Sequence, residues 1–134
     1  MGINNIMVYS KVVLSNKNYF ATAKMKAHSV FIDIPKSEGG GDTGPTPVAY
    51  LLTAIGGCVA MTLRMYAERK NWEVGKITVN VAQLEDEDGF YLSEEISFEK
   101  EITVKQKERL LFFAGKCPVA RMVKGETRTT SKII

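Results

Sequence analysis

This 134-residue chain has two cysteines, Cys58 and Cys117, and a single histidine, His28, the residue types best suited to thiol chemistry or zinc ligation. Two cysteines 59 positions apart form no close-spaced ligand pair. A zinc site built on Cys58, Cys117 and His28 is therefore a weak reading, because structural zinc sites draw on close-spaced Cys and His pairs. A secreted scaffold of this length usually carries more cysteines. Two readings stay open for the pair. Both can be inert core residues, since free Cys is among the most buried residue types. Or they meet in space as a redox couple: a thiolate attacks a peroxide O–O bond, becomes a sulfenic acid and condenses with the second thiol to a disulfide, which an external dithiol then reduces. The thiolate is the nucleophile, and apolar burial alone disfavours it. Cys58 thus calls for a cation or a hydrogen-bond donor. Cys117 precedes Pro118 at an expected helix start, where free N–H groups and the helix dipole favour a thiolate.

The elements that would carry these residues follow from periodicity and punctuation. Residues 7–14 read as a strand rich in Val and Tyr, and Asn16, Lys17 and Asn18 as a turn. Residues 19–25 return as a second strand, and 28–34 form a third. Residues 35–46 are a loop with Gly39, Gly40, Gly41 and Gly44. Thr46 then caps a long helix with Pro47 at its first position, running to about Lys70. Its first two thirds are apolar on every side, which predicts burial all round. Gly56 and Gly57 lie inside it, each costing about 1 kcal/mol against Ala, so something must approach closely beside Cys58 or against another helix.

Residues 74–84 and 90–102 read as a strand pair. The run Glu85, Asp86, Glu87, Asp88 between them is a solvated hairpin tip, since it lacks the alternating ligands and closing Glu of a calcium loop. Thr103 and Gln106 make a capping-box pattern for a helix to about Gly115. A short helix from Cys117 and Pro118 to near Gly125 follows, then a closing strand over 126–133. Strands and helices do not alternate, so the class is α+β. We expect one domain over residues 1–134, with a six-stranded antiparallel-type sheet. One sheet covers one face of the helix, so a second copy of the chain is the expected cover, as a homodimer.

Composition excludes several roles. Eighteen basic and 15 acidic residues leave a net charge of only +3, with no basic stripe for nucleic acid. The N-terminus MGINNIMVYSKVVLSN has no secretory pattern. Ile6 stands where a myristoylation motif needs Ser or Thr. The uncharged stretch from Pro47 to Leu63 is at the short edge of a membrane span and reads better as a core helix. The expected location is a reducing cytoplasm.

The stretch GGGDTGPTPVAYLLTAIGGC, Gly39–Cys58, closely resembles the central motif of the OsmC/Ohr family, the osmotically inducible and organic hydroperoxide resistance proteins. CPVARMV, Cys117–Val123, is similar to its second cysteine motif, and AHSVFIDIP, Ala27–Pro35, to the strand before the glycine loop in the OsmC-like branch. The resemblance implies an intertwined homodimer, peroxidatic chemistry at Cys58 and resolution by Cys117. It implies organic hydroperoxides as substrates, a dithiol such as a lipoylated protein as reductant, and no cofactor or metal. It also places Pro47, Leu51, Ile55 and Gly57 along the substrate pocket. The chain departs from the family at the activating pair. Val48 and Ala49 stand where a Glu follows the motif's proline, and no arginine precedes Arg64. Lys24, Lys26, His28 and Arg121 are the candidates to substitute as activating or supporting groups, although Lys lacks the planar fork of Arg. That departure keeps a second function open: small-ligand binding or redox sensing without turnover.

Overall fold

The computed structural model describes residues 6–134. Two compact units divide the chain, one up to Tyr50 and one from Leu51 onward.

The first unit is an antiparallel meander of β1 (Lys11–Leu14), β2 (Ala21–Met25) and β3 (His28–Ile32), in the order β1-β2-β3. Asn18 and Lys26 take the left-handed backbone conformation in the two connections. Ala21 and Ala23 of β2 are buried, while Lys24 is exposed. The glycine loop that follows is built on Asp33, which is 2% exposed. Its carboxylate accepts from the amides of Ile34 at 2.8 Å and Thr43 at 3.1 Å, and from Thr43 Oγ1 at 2.6 Å. Gly40 is required here: a Cβ on it would lie 2.1 Å from the Ile34 carbonyl oxygen. Gly39 adopts φ +95°, a conformation that costs glycine little.

α1 (Pro47–Arg69) starts as its sequence predicts, with Thr46 Oγ1 accepting from the Ala49 amide at 3.2 Å. It stops at Asn71, which is left-handed (φ 56°), while the Trp72 amide returns to the Ala67 carbonyl at 2.8 Å. The helix is long and apolar enough to cross a membrane by length and composition. Its buried residues, however, form one stripe, Ile55, Val59, Leu63, Tyr66 and Ala67, spaced for a single helical face. Leu51, Met61 (65% exposed) and Met65 (61% exposed) remain uncovered. The expectation of burial on all sides is therefore not met within one chain, because its own hairpin and second helix cover one stripe only.

The second unit adds the hairpin of β4 (Ile77–Asp86) and β5 (Gly89–Phe98), closed by a two-residue turn at Glu87 and Asp88. The acidic run is a hairpin tip, as expected, with the Asp88 amide held by the Asp86 carboxylate at 2.8 Å. α2 (Val104–Ala114) opens with the complete capping box, Gln106 N to Thr103 Oγ1 at 3.1 Å and Thr103 N to Gln106 Oε1 at 2.8 Å. α3 (Pro118–Arg121) runs into one wide turn over Met122–Glu126, where Gly125 (φ 90°) breaks the helix.

The α+β class holds, but the sheet differs from expectation. Among the described residues there are five strands, in one three-stranded and one two-stranded sheet, instead of six in one sheet. The closing strand over 126–133 does not form: residues 127–134 have no regular structure, and Ile133 and Ile134 are fully exposed. A strand exists only by pairing, and among the described residues no strand edge pairs with this segment.

The Asp33 staple predicts a local acid sensitivity. Its hydrogen bonds, first those from Thr43 and then from Ile34, hold the carboxyl down from 3.8 to about 2. Because the folded value is depressed, its stabilisation is complete above the ordinary 3.8 and is lost as pH falls towards about 2. Asp33→Asn should speed exchange of the Gly41 and Thr43 amides near neutral pH. Unchanged exchange would show that the loop does not depend on this carboxylate.

Candidate functional site

Cys58 and Cys117 meet. Cys117 is 0% exposed and belongs to the core cluster of Ile55, Val59, Leu63, Tyr66, Leu110, Ala114 and Ala120, with half-buried Cys58 packed against it. The Cys58 side chain lies near enough to the Cys117 thiol to push its pKa up. Both thiols are free.

Local sequence brings each one there. On α1, Cys58 follows Ile55 by three residues and adjoins Val59, so it flanks the buried stripe. Gly56 lets the hairpin close on the helix beside it: a Cβ there would lie 3.3 Å from Val81 Cγ2 and 3.6 Å from the Val79 carbonyl oxygen. The close approach expected at these glycines is thus helix on strand. Gly57 has nothing within 4 Å of where a Cβ would stand, and it borders a groove of about 470 Å³ with Leu52, Thr53 and Val79.

Cys117 is delivered by α2. The capping box sets where α2 begins, and Leu110 and Ala114 bury one face of it. Tyr66 of α1 stacks on Phe113 of α2 with ring centroids 4.0 Å apart, and its hydroxyl takes a hydrogen bond from Arg109 Nε at 3.2 Å. The Lys116 amide closes a turn on the Phe113 carbonyl at 3.0 Å. Cys117 then caps α3, its Sγ accepting from the Ala120 amide at 3.3 Å.

That cap does not make Cys117 a ready thiolate, contrary to the sequence-based expectation. Burial is the dominant influence and pushes the Cys117 thiol up. The Ala120 N–H pulls the other way but is outweighed by burial, and the influence of Cys58 and the Glu94 charge adds to burial. A four-residue helix brings few aligned peptide dipoles to oppose desolvation. Cys117 is therefore a protonated thiol at neutral pH, and Cys58 is the more accessible of the two.

The other residues singled out from the sequence fall elsewhere. Lys24, Lys26 and His28 are exposed together at the β2–β3 connection, where Met25 pairs with His28. They belong to the first unit, whereas both cysteines belong to the second. Arg121 is exposed and lines a surface depression with Pro118, Met122 and Thr127. Arg64, six residues after Cys58 and so about 240° round α1 from it, donates to the Gly75 carbonyl. Pro47 is exposed at the start of α1, and Leu51 is also exposed. Ile55 is packed in the core. No cluster of three or more metal-ligating side chains occurs among the described residues. Sequence reasoning missed Glu94, whose only signal was a charge where the alternation of β5 calls for an apolar residue. It also missed Asp33, a charge inside an apolar strand motif.

The family model described as OsmC-like protein matches residues 39–132. No curated protein matches the chain. Solved structures match it closely in fold. One is a Psychrobacter arcticus 273-4 protein assigned to osmotic stress and detoxification response, with a TM-score of 0.74, 21% identity, and 89% of this chain and 90% of that one covered. Another is an OsmC-like protein from Mycoplasma pneumoniae, with a TM-score of 0.71, 22% identity, and 92% and 91% covered. A third is an organic hydroperoxide resistance protein from Elizabethkingia anophelis with thiocyanate bound, with a TM-score of 0.66, 18% identity, and 92% and 91% covered.

The thiol pair depends on the stripe that joins α1 to α2. Leu63→Ala should cost about 2–5 kcal/mol, the usual range for truncating a fully buried Leu, read from urea unfolding of the reduced protein. A cost below about 1 kcal/mol would mean that the stripe is not the core of this unit.

Proposed function

The chain belongs to the OsmC-like protein family, and from that premise we propose that it reduces organic hydroperoxides with Cys58 and Cys117 as its working thiols. One observation carries the reading: of two cysteines 59 residues apart in sequence, one belongs to the core cluster and the other packs against that same cluster. The hydroperoxide resistance proteins of the same fold support it.

The steps follow from the surroundings of the two thiols. Cys58 attacks as its thiolate, forming an S–O bond and breaking the O–O bond. The alkoxide leaves and takes up a proton as the alcohol, and Cys58 becomes a sulfenic acid. The Cys117 sulfur then attacks Cys58 sulfur. Its proton joins the departing hydroxyl as water, and the disulfide forms. An external dithiol restores both thiols by exchange and is itself oxidised to a disulfide. Burial of Cys117 fits the second, waiting role, because an accessible second thiol would compete for the peroxide. In this reading Lys24, Lys26, His28 and Arg121 are the candidates to support Cys58, and Pro47, Leu51, Ile55 and Gly57 the candidates to line the substrate path.

The absence of the family's Glu at Val48 and Ala49, and of an arginine before Arg64, favours a second reading. In it the same pair binds a small electrophile or senses oxidation without turnover. The two are separated with reduced protein, cumene hydroperoxide and dihydrolipoamide. The peroxidase predicts many turnovers that vanish in Cys58→Ser, while Cys117→Ser stops after about one. Peroxide loss no faster than in Cys58→Ser would leave binding or sensing as the better account.

We also propose a homodimer. The uncovered face of α1, with Leu51, Met61 and Met65, and the unpaired segment 127–134 are the surfaces it would bury. Sedimentation should give twice the 14.9 kDa chain mass, and Met61→Glu should shift it towards the monomer. A monomer at every concentration would refute this.

A further inference from the structure

Five cations gather where the C-terminal ends of α1 and α2 meet, at the stack of Tyr66 on Phe113. The Arg69 guanidinium and the Lys70 ammonium lie 6.0 and 5.9 Å from the centre of the Tyr66 ring. Arg109 lies 6.0, 5.7 and 5.5 Å from the rings of Tyr66, Phe112 and Phe113. The Lys116 ammonium is 4.8 Å from the Phe112 ring. The Lys124 ammonium comes close to Gly115, 3.8 Å from where a Cβ would stand. All five side chains are exposed, and none forms an ion pair with a described residue. Glu108 borders the patch one turn before Phe112, while Glu68 lies about 200° round α1 from Tyr66. The balance at the patch is therefore strongly positive. Offsetting the two helix dipoles is the competing account of these charges. It does not call for Phe112, 55% exposed, in their midst. Arg beside exposed aromatic rings is instead the composition enriched in protein interfaces.

The patch adjoins the thiols. Tyr66 and Cys117 belong to one core cluster with Phe113 packed against it, and Lys116 directly precedes Cys117. Tyr66 stands two turns after Cys58, about 12 Å along α1. Resting on the two-thiol reading above, we propose that this patch docks the protein that carries the external dithiol, and that this partner presents an acidic face near its thiols. A partner thiolate attacks the sulfur of Cys58, the more accessible of the pair, and the Cys58–Cys117 bond breaks. Cys117 leaves as a thiolate and takes up a proton. The second partner thiol then attacks its neighbour's sulfur in the mixed disulfide, Cys58 is released, and the partner departs as a disulfide. With Cys117 buried and Cys58 half-buried, a dithiol held at the patch gains effective concentration over one in free solution. The cations draw in carboxylates from a distance, and Phe112 offers an apolar contact at the centre. A reach of about 12 Å is about four extended residues, which sets the spacing between the partner's carboxylates and its thiols.

Two synthetic dithiol peptides are the probes, alike except for a run of glutamates or of lysines about four residues from the thiols. The chain is first oxidised with diamide and the Cys58–Cys117 disulfide checked by mass spectrometry. Its absence would sink the two-thiol reading and this proposal with it. Each peptide's rate of reducing that disulfide is then taken relative to its rate on hydroxyethyl disulfide. The acidic peptide should be about tenfold faster than the basic one at about 0.01 M salt, within the range of electrostatic steering. The advantage should vanish at about 1 M salt, where the Debye length is about 3 Å. Lys70→Glu with Lys116→Glu should reverse the preference. Lys17→Glu with Lys36→Glu, the same charge change in the first unit, should keep it. Equal relative rates for the two peptides in the native chain, with the disulfide present, overturn the docking proposal alone. So does the same loss in both double variants, which would report net charge. Serine versions of the peptides are followed through Trp72, the single tryptophan, edge-on to Tyr66 at 5.6 Å. Tighter binding there of a single-stranded oligonucleotide would make the patch a nucleic-acid platform. A sedimentation change in the Lys70 and Lys116 variant would make it a seat for the acidic hairpin tip of a second copy. Either result overturns the proposal, and if the variants fail to fold, the salt dependence of the native chain still decides it.

Discussion

The second unit depends on one strip of contact, where Ile55, Val59, Leu63 and Tyr66 of α1 meet Leu110, Ala114 and Cys117. Removing those side chains from water is the main force available to hold a helix of this length in place. The strip also decides which residues do chemistry, because the same burial that joins α1 to α2 carries Cys117 to Cys58. Tyr66 reinforces it at one end through stacking on Phe113 and the hydrogen bond from Arg109. Gly56 reinforces it at the other by letting β4 lie close to the helix. Position and reactivity thus have a common origin.

Burial then makes the two thiols unequal. Cys117 has a cap hydrogen bond from Ala120, a device that elsewhere activates cysteines. Here desolvation outweighs it, and the nearby acidic groups add to the effect. Cys58 keeps partial access to solvent on the flank of the stripe. One sulfur is thus partly accessible and the other buried and protonated, with no metal-ligand cluster among the described residues.

In the first unit one carboxylate does comparable work for the glycine loop. Asp33 collects amides from Ile34 and Thr43 and the Thr43 hydroxyl, so a glycine-rich segment with high conformational freedom is pinned at one point. The Tyr50 hydroxyl, donating to the Phe31 carbonyl at 2.6 Å, ties the first turn of α1 to β3 in the same unit. Of the glycines between, Gly40 is explained by the room the backbone needs against Ile34 and Gly39 by its positive φ.

What was legible in the sequence was what depends on near neighbours. The cap at Thr46, the capping box at Thr103 and Gln106, the acidic hairpin tip and the helix start at Pro118 all form where the sequence places them. Each is decided by hydrogen bonds within a few residues. The two cysteine motifs were also legible, and with them the family. Tertiary structure decided everything that needs a remote partner. Residues 126–133 look like a strand, yet no edge among the described residues receives them. α1 looks buried on all sides, yet one stripe is covered. Cys117 looks activated by its cap, yet the desolvation that overrides it comes from α1 and α2, and the added negative charge from β5. The physical reason is the same in each case: pairing, burial and electrostatic environment are properties of what surrounds a residue in space, and local sequence carries only half of each contact.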